Sequence, residues 1–133
     1  MAILAFSHYN LRVPAAAVEE LRRFYCDVLG LTQGPRPPLA SHGHWLYAGA
    51  QDVLHLSQMR PGEQRDGGAV NAFDHAAFRC SDRAAHERRL QQAGVPFRVV
   101  QLEDGTVQVF LRDPAGNGVE LNFAPGSDAA PAR

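Results

Sequence analysis

The chain has 133 residues, 45% of them hydrophobic, and a formal net charge of -1. That length suits one domain with a core of its own. The balanced charge argues against nucleic acid as a partner, since a dedicated binder carries a basic surplus or patch, and no apolar run reaches the ~20 residues needed to span a bilayer.

The opening Met1-Ala2-Ile3-Leu4-Ala5-Phe6 is apolar but short and lacks a basic leader, so it does not read as a signal peptide. Residues 3–13 alternate as a strand, with Phe6, His8, Asn10 and Arg12 on one face, until Pro14 ends it. Ala15 to Leu29 reads as a helix, with Val18, Leu21, Phe24, Tyr25 and Val28 at spacings of three and four and Gly30 as its stop. Gly34 to Pro38 is a loop or a stiff extended edge. His44 to Ala48 and Asp52 to Met59 are two strands joined by a hairpin turn.

Residues 60–72 are polar and glycine-containing and read as a linker. Beyond it, Phe73 to Cys80 is a strand, Ser81-Asp82 resembles a helix N-cap, and Arg83 to Ala93 is a helix closed by Gly94. Val95 to Leu102, Thr106 to Arg112 and Val119 to Phe123 are strands, separated by an Asp104-Gly105 hairpin signal and the tight turn 113–118. Residues 125–133 are expected to be a frayed tail. Two cysteines, Cys26 and Cys80, make no disulfide framework and read as free thiols in a cytoplasmic protein.

The order strand, helix, strand, strand, strand occurs on both sides of the linker. The expected fold is therefore α+β: one domain of two βαβββ modules, at about 3–59 and 73–124. The first strand of each module carries a histidine, His8 and His75, and the last carries His55 and Glu120. Along residues 52–57, Leu54 and Leu56 share one face and His55 takes the other; along 118–123, Glu120 and Asn122 lie opposite Val119, Leu121 and Phe123. Singly, each polar residue has an ordinary reading as a hydrogen-bonded strand residue or an ion-pair partner. At matched positions of a repeat, three imidazoles and one carboxylate read as ligands for one divalent first-row metal, Ni, Zn, Fe, Mn or Co.

By the same parity Asn10, Gln108, Phe110 and Asn122 face the ligand candidates, and Trp45 and Tyr47 form a possible pocket wall; these are the substrate-binding candidates. His42 and His44 flank Gly43 and are either exposed or an acid or base near the metal.

Three motifs carry a resemblance: Phe24-Tyr25-Cys26-Asp27-Val28-Leu29-Gly30-Leu31, Asp74-His75-Ala76-Ala77-Phe78, and Leu111-Arg112-Asp113-Pro114-Ala115-Gly116-Asn117-Gly118-Val119-Glu120-Leu121. With them the chain resembles the vicinal oxygen chelate superfamily, which includes glyoxalase I, fosfomycin-resistance enzymes, bleomycin-binding proteins and extradiol dioxygenases. The resemblance implies a curled mixed-sheet cleft and a homodimer acting on a small molecule. In short members the site takes His8 and His55 from one subunit and His75 and Glu120 from the other. It implies metal binding by His8, His55, His75 and Glu120, with Glu120 and His55 as catalytic candidates. A glyoxalase-like lyase or isomerase leads. An extradiol-type dioxygenase, a fosfomycin-type thiol transferase and a metal-free binding protein of the bleomycin-resistance type are the alternatives. Bacterial glyoxalase I has a glutamate, which also serves as base, where this chain has His55. His55 therefore coordinates, holds a water or stands off as a base.

Overall fold

The computed structural model describes residues 1, 4–64 and 73–126. The chain divides into two compact units, Met1–Gly67 and Gly68–Arg133. The part of the expected linker after residue 64 and the tail after residue 126 lie outside the described residues. No helix among the described residues is long and apolar enough to cross a membrane.

The first unit holds β1 (Tyr9–Val13), α1 (Ala15–Arg23), β2 (Thr32–Gly34), β3 (Gly43–Ala48) and β4 (Gln51–Gln58). Its four-stranded sheet runs β1-β4-β3-β2, with β1 parallel to β4 and the other pairs antiparallel. β1 is shorter than the alternation predicts. It pairs with Leu54 to Gln58 only, and Leu4 and Phe6, upstream of that register, are exposed. α1 packs on β3 and β4 and buries Val18 and Leu21 against Leu46, Leu54 and Leu56.

The single helix expected over 15–29 is two pieces. After Arg23 the backbone widens into a π-helical turn, Phe24–Val28, in which the Leu29 N–H reaches back five residues to the Phe24 carbonyl. The wider turn lets adjacent Phe24 and Tyr25 both be buried, which a narrow apolar stripe at a period of 3.6 does not require. Gly30, at φ 93°, closes the segment with its N–H on the Cys26 carbonyl.

The second unit holds β5 (His75–Cys80), α2 (Arg83–Gln92), β6 (Phe97–Gln101), β7 (Val107–Arg112) and β8 (Gly118–Phe123). Its sheet runs β5-β8-β7-β6, with β5 parallel to β8, so the chain is built of two four-stranded mixed sheets with the same strand order. Asp82 caps α2 as expected, its side chain accepting from the Ala85 N–H. Leu90 of α2 is buried, as are Val107, Val109, Leu111, Val119, Leu121 and Phe123 of β7 and β8.

The repeat extends to register. In the first unit Asn10, two residues after His8, is opposite His55; in the second Ala77, two residues after His75, is opposite Glu120. On the antiparallel side His55 is opposite Trp45 and Glu120 is opposite Phe110.

Candidate metal centre

In the first unit the site grows from β4. Its apolar face, Leu54 and Leu56, is sealed under α1, which leaves His55 and Ser57 on the other face of the sheet, each under 10% exposed. The His55 ring is sandwiched. His8, immediately before β1, stacks on it with centroids 3.8 Å apart, and Trp45 stacks on it at 4.0 Å and 5°. The His55 Nε2–H donates to Asp52 Oδ2 at 2.7 Å. That bond holds the Asp52 carboxyl below its usual range, the hydrogen bond being the largest cause. Nδ1 is left as the basic nitrogen of the His55 ring. Ser7 Oγ lies 2.9 Å from His8 Nδ1, which leaves His8 Nε2 for another partner.

Asp52 is absent from the residues that sequence reasoning assigns to the site. In a regular strand it would face away from His55. The pairing shifts between Leu46 and Tyr47: Leu46 is opposite Leu54 and Tyr47 opposite Asp52, so Val53 is passed over. This bulge turns Asp52 onto the face of His55. The only signal in the sequence is an acidic residue at the mouth of a hairpin, which is common in turns.

Asn10 and Trp45 line a cavity of about 850 Å³ together with His55, Ser57, Arg12 and Arg36. The Asn10 amide donates to Ser57 Oγ at 2.8 Å. Tyr47 points elsewhere: its hydroxyl donates to the Pro35 carbonyl and its ring lies over Gly34.

In the second unit the turn after β7 sets β8. Asp113, 5% exposed, accepts from the backbone N–H groups of Ala115 and Asn117 and from the Asn117 amide, at 2.8–2.9 Å. This is the physical content of the Asp-Pro-x-Gly-Asn motif: a turn that bonds itself shut and launches the strand bearing Glu120. Glu120 is buried, with Oε1 3.6 Å from His75 Nε2. The Gln108 amide donates to Oε1 at 3.3 Å and the Asn122 amide to Oε2 at 3.2 Å. His75 Nδ1–H donates to Asp74 Oδ2 at 2.7 Å, which turns Nε2 toward Glu120. Phe110 meets the His75 ring edge-on at 6.1 Å, and the Arg98 guanidinium lies over Phe110. His75, Phe110 and Arg98 line a second cavity of about 650 Å³.

Of the ligand candidates, His8 and His55 thus meet in the first unit and His75 and Glu120 in the second. The donor set suits a divalent transition metal. The ligand atoms of His8, Asp52 and His55 lie within 4.8 Å of one another, and two of the imidazoles have their second nitrogen hydrogen-bonded to a carboxylate.

The description "Glyoxalase/Bleomycin resistance protein/Dioxygenase superfamily" fits residues 5–121 of the chain. The chain belongs to this superfamily. A curated relative from Arabidopsis thaliana, named Glyoxylase I 4, is 29% identical over 117 residues, covering 84% of this chain and 67% of that protein. Among solved structures, a glyoxalase family protein from Bacillus anthracis is 24% identical with a TM-score of 0.75, covering 93% of this chain and 98% of the other. The lactoylglutathione lyase of Agrobacterium tumefaciens is also 24% identical, with a TM-score of 0.64, covering 90% and 92%. At these identities the solved structures speak for the fold, and in this superfamily fold the strand order β1-β4-β3-β2 repeats as β5-β8-β7-β6.

Proposed function

We propose that this superfamily member is a metal-dependent, glyoxalase-like lyase or isomerase, working in the cytoplasm on a small substrate with two adjacent oxygens. The observation that carries the reading is the Asp52–His55 pair. Bacterial glyoxalase I has a glutamate at the position of His55. Here an imidazole fills that position, and a carboxylate bonded to its Nε2 both fixes the tautomer and stabilises the ring when it takes a proton.

In this reading His8, His75 and Glu120 hold one divalent cation, from Ni, Zn, Fe, Mn or Co. The cation, when bound, supplies Lewis-acid polarisation of the substrate oxygens. His55, through Nδ1, removes a proton from the substrate carbon next to the polarised carbonyl and returns it to the neighbouring carbon. No atom is gained or lost in that exchange. Gln108 and Asn122 hold the Glu120 carboxylate, Asn10 positions substrate, and Trp45 keeps water from one face of His55. The working form is a homodimer whose site takes His8 and His55 from one subunit and His75 and Glu120 from the other.

The deciding experiment has two parts. Protein purified without chelator or affinity-tag histidines is assayed for metal, and then for lactoylglutathione formation from methylglyoxal and glutathione against oxygen uptake with catechols. Bound metal and product formation in the first assay are expected. Absence of bound metal, with no stabilisation by Ni²⁺, Zn²⁺, Mn²⁺ or Fe²⁺, would sink the reading. Oxygen uptake would replace the lyase with a dioxygenase. Mixing His8→Ala chains with Glu120→Ala chains tests the sharing: a shared site regains activity in the mixed dimer, and no regain rejects it.

A further inference from the structure

A second group of ligand-type side chains lies in the first unit, outside the residues assigned above. Glu19 projects from α1, His42 precedes β3, and His44 is on β3. Both imidazoles present Nε2 to the same oxygen of one carboxylate: His44 Nε2 is 2.6 Å and His42 Nε2 3.4 Å from Glu19 Oε1. The rings are 5.2 Å apart and nearly perpendicular. The other carboxylate oxygen is held by the Arg22 Nε–H at 2.9 Å, so Oε1 is turned toward the two histidines.

We propose that Glu19, His42 and His44 form a second divalent-metal site, with an N₂O donor set selective for Zn²⁺, Ni²⁺ or Co²⁺ over Mg²⁺ and Ca²⁺. Three donor atoms within 4.8 Å of one another come from two elements and a loop, the facial arrangement that leaves positions for water. In a tetrahedral site with bonds of about 2.0–2.1 Å, neighbouring ligand atoms are roughly 3.3 Å apart. The His42–Glu19 separation of 3.4 Å already has that value, and the His44–Glu19 separation of 2.6 Å opens by less than 1 Å, within the reach of one glutamate rotamer change.

Access and support are present as well. His42 is 53% and Glu19 45% exposed, so an ion enters from solvent, while His44, at 13%, is fixed on the sheet. Glu19 stays ionised: hydrogen bonds from His44 first, then Arg22, hold its carboxyl at about 2. Arg22 costs the site some cation affinity by charge and supports it by orientation, as an outer partner that fixes a ligand. His42 also lines the cavity that contains His55, so an ion bound here sits on the rim of the substrate cleft and pins the segment before β3 to α1.

This site does not depend on the proposed activity. The test is a Zn²⁺ titration of the tag-free full chain against a chromophoric chelator, for wild type, His42→Ala, His44→Gln and His8→Ala. His42 is a half-exposed loop residue, so its removal does not threaten folding. In His42→Ala and His44→Gln, the affinity for one Zn²⁺ per chain is expected to fall at least tenfold, while the equivalent sensitive to His8→Ala is kept. Co²⁺ in wild type gives the intense visible bands of a low-coordinate site, and these are lost in His42→Ala. If His42→Ala and His44→Gln take up the same Zn²⁺ as wild type at the same affinity, or if wild type shows only the His8-dependent equivalent, the trio is an ion pair and the site is rejected. An insensitive His8→Ala would count against the proposed function alone.

Discussion

Asp52 Oδ2 lies 2.7 Å from His55 Nε2, although regular alternation would put these two residues of one strand on opposite faces. The bulge that passes over Val53 makes the pair, and in doing so supplies a carboxylate beside the imidazole.

Asp52→Asn keeps the shape and removes the charge. The Asp52 side chain is 34% exposed, so folding tolerates the change. The variant is expected to lower kcat by about 10²-fold or more, as when the carboxylate that orients a histidine base becomes an amide and leaves the base in the wrong tautomer, with metal content unchanged. Steady-state kinetics across pH, with metal analysis of the same sample, check it. Equal kcat at every pH would show that the pair has no part in proton transfer.

Trp45 is the only tryptophan among the 133 residues, and it stacks on His55, which stacks on His8. A paramagnetic ion held by His8 therefore sits close to the one indole. In a His42→Ala background, which removes the second proposed site beside Trp45, adding Co²⁺ is expected to quench tryptophan emission, and to leave it unchanged once His8→Ala is added to that background. Equal quenching in both proteins would place the bound ion away from His8.

Gly118 is opposite His75 across the parallel pair, and a Cβ built on it would lie 2.2 Å from the Asp74 carbonyl oxygen. The backbone on either side of this contact cannot yield as a flexible side-chain tip can. Gly118→Ala is expected to destabilise the protein by about 1–3 kcal/mol through overpacking, read as a lower urea midpoint. It should also weaken metal binding, since Asp74 orients His75. A midpoint and metal affinity equal to wild type would mean that the strands part without cost.

Cys80 is free, and burial pushes its thiol up to about 11 from the ordinary 9.0. Below pH 9 both folded and unfolded chains keep the proton, so the thiol favours neither. Between pH 9 and 11 the unfolded chain loses the proton and the folded chain retains it. Folding stability therefore falls as pH rises through that window. Urea midpoints at pH 8, 9.5 and 10.5 under reducing conditions should fall more steeply for wild type than for Cys80→Ala. Parallel curves for the two would contradict the shift.

Much of the fold is legible in the sequence. Alternation and turn chemistry locate the strands other than the short β2, and the Asp82 cap and the self-bonded 113–117 turn follow from local side-chain chemistry. The break of the first helix into α1 and a π-helical turn is not legible, because whether adjacent Phe24 and Tyr25 are both buried depends on packing from outside the segment and not on its own periodicity. Residues 4–8 read as strand by pattern, yet the backbone ladder with β4 begins only at Tyr9 and Leu54, and the Phe6 and Ser7 carbonyls accept from the Gln51 side-chain amide instead.

The candidate site divides along the same line. His8, His55, His75 and Glu120 stand out in the sequence because they occupy matched positions in a repeat, and strand parity depends only on counting residues. Asp52 beside His55, and Glu19 between His42 and His44, were decided by tertiary structure alone. The first needs a bulge that cancels parity. The second joins a helix to a strand more than 20 residues away in the chain, a closeness fixed by how α1 packs on the sheet and not by any local pattern. Periodicity records which way a side chain points along its own element; which other side chain it meets is set by the packing between elements.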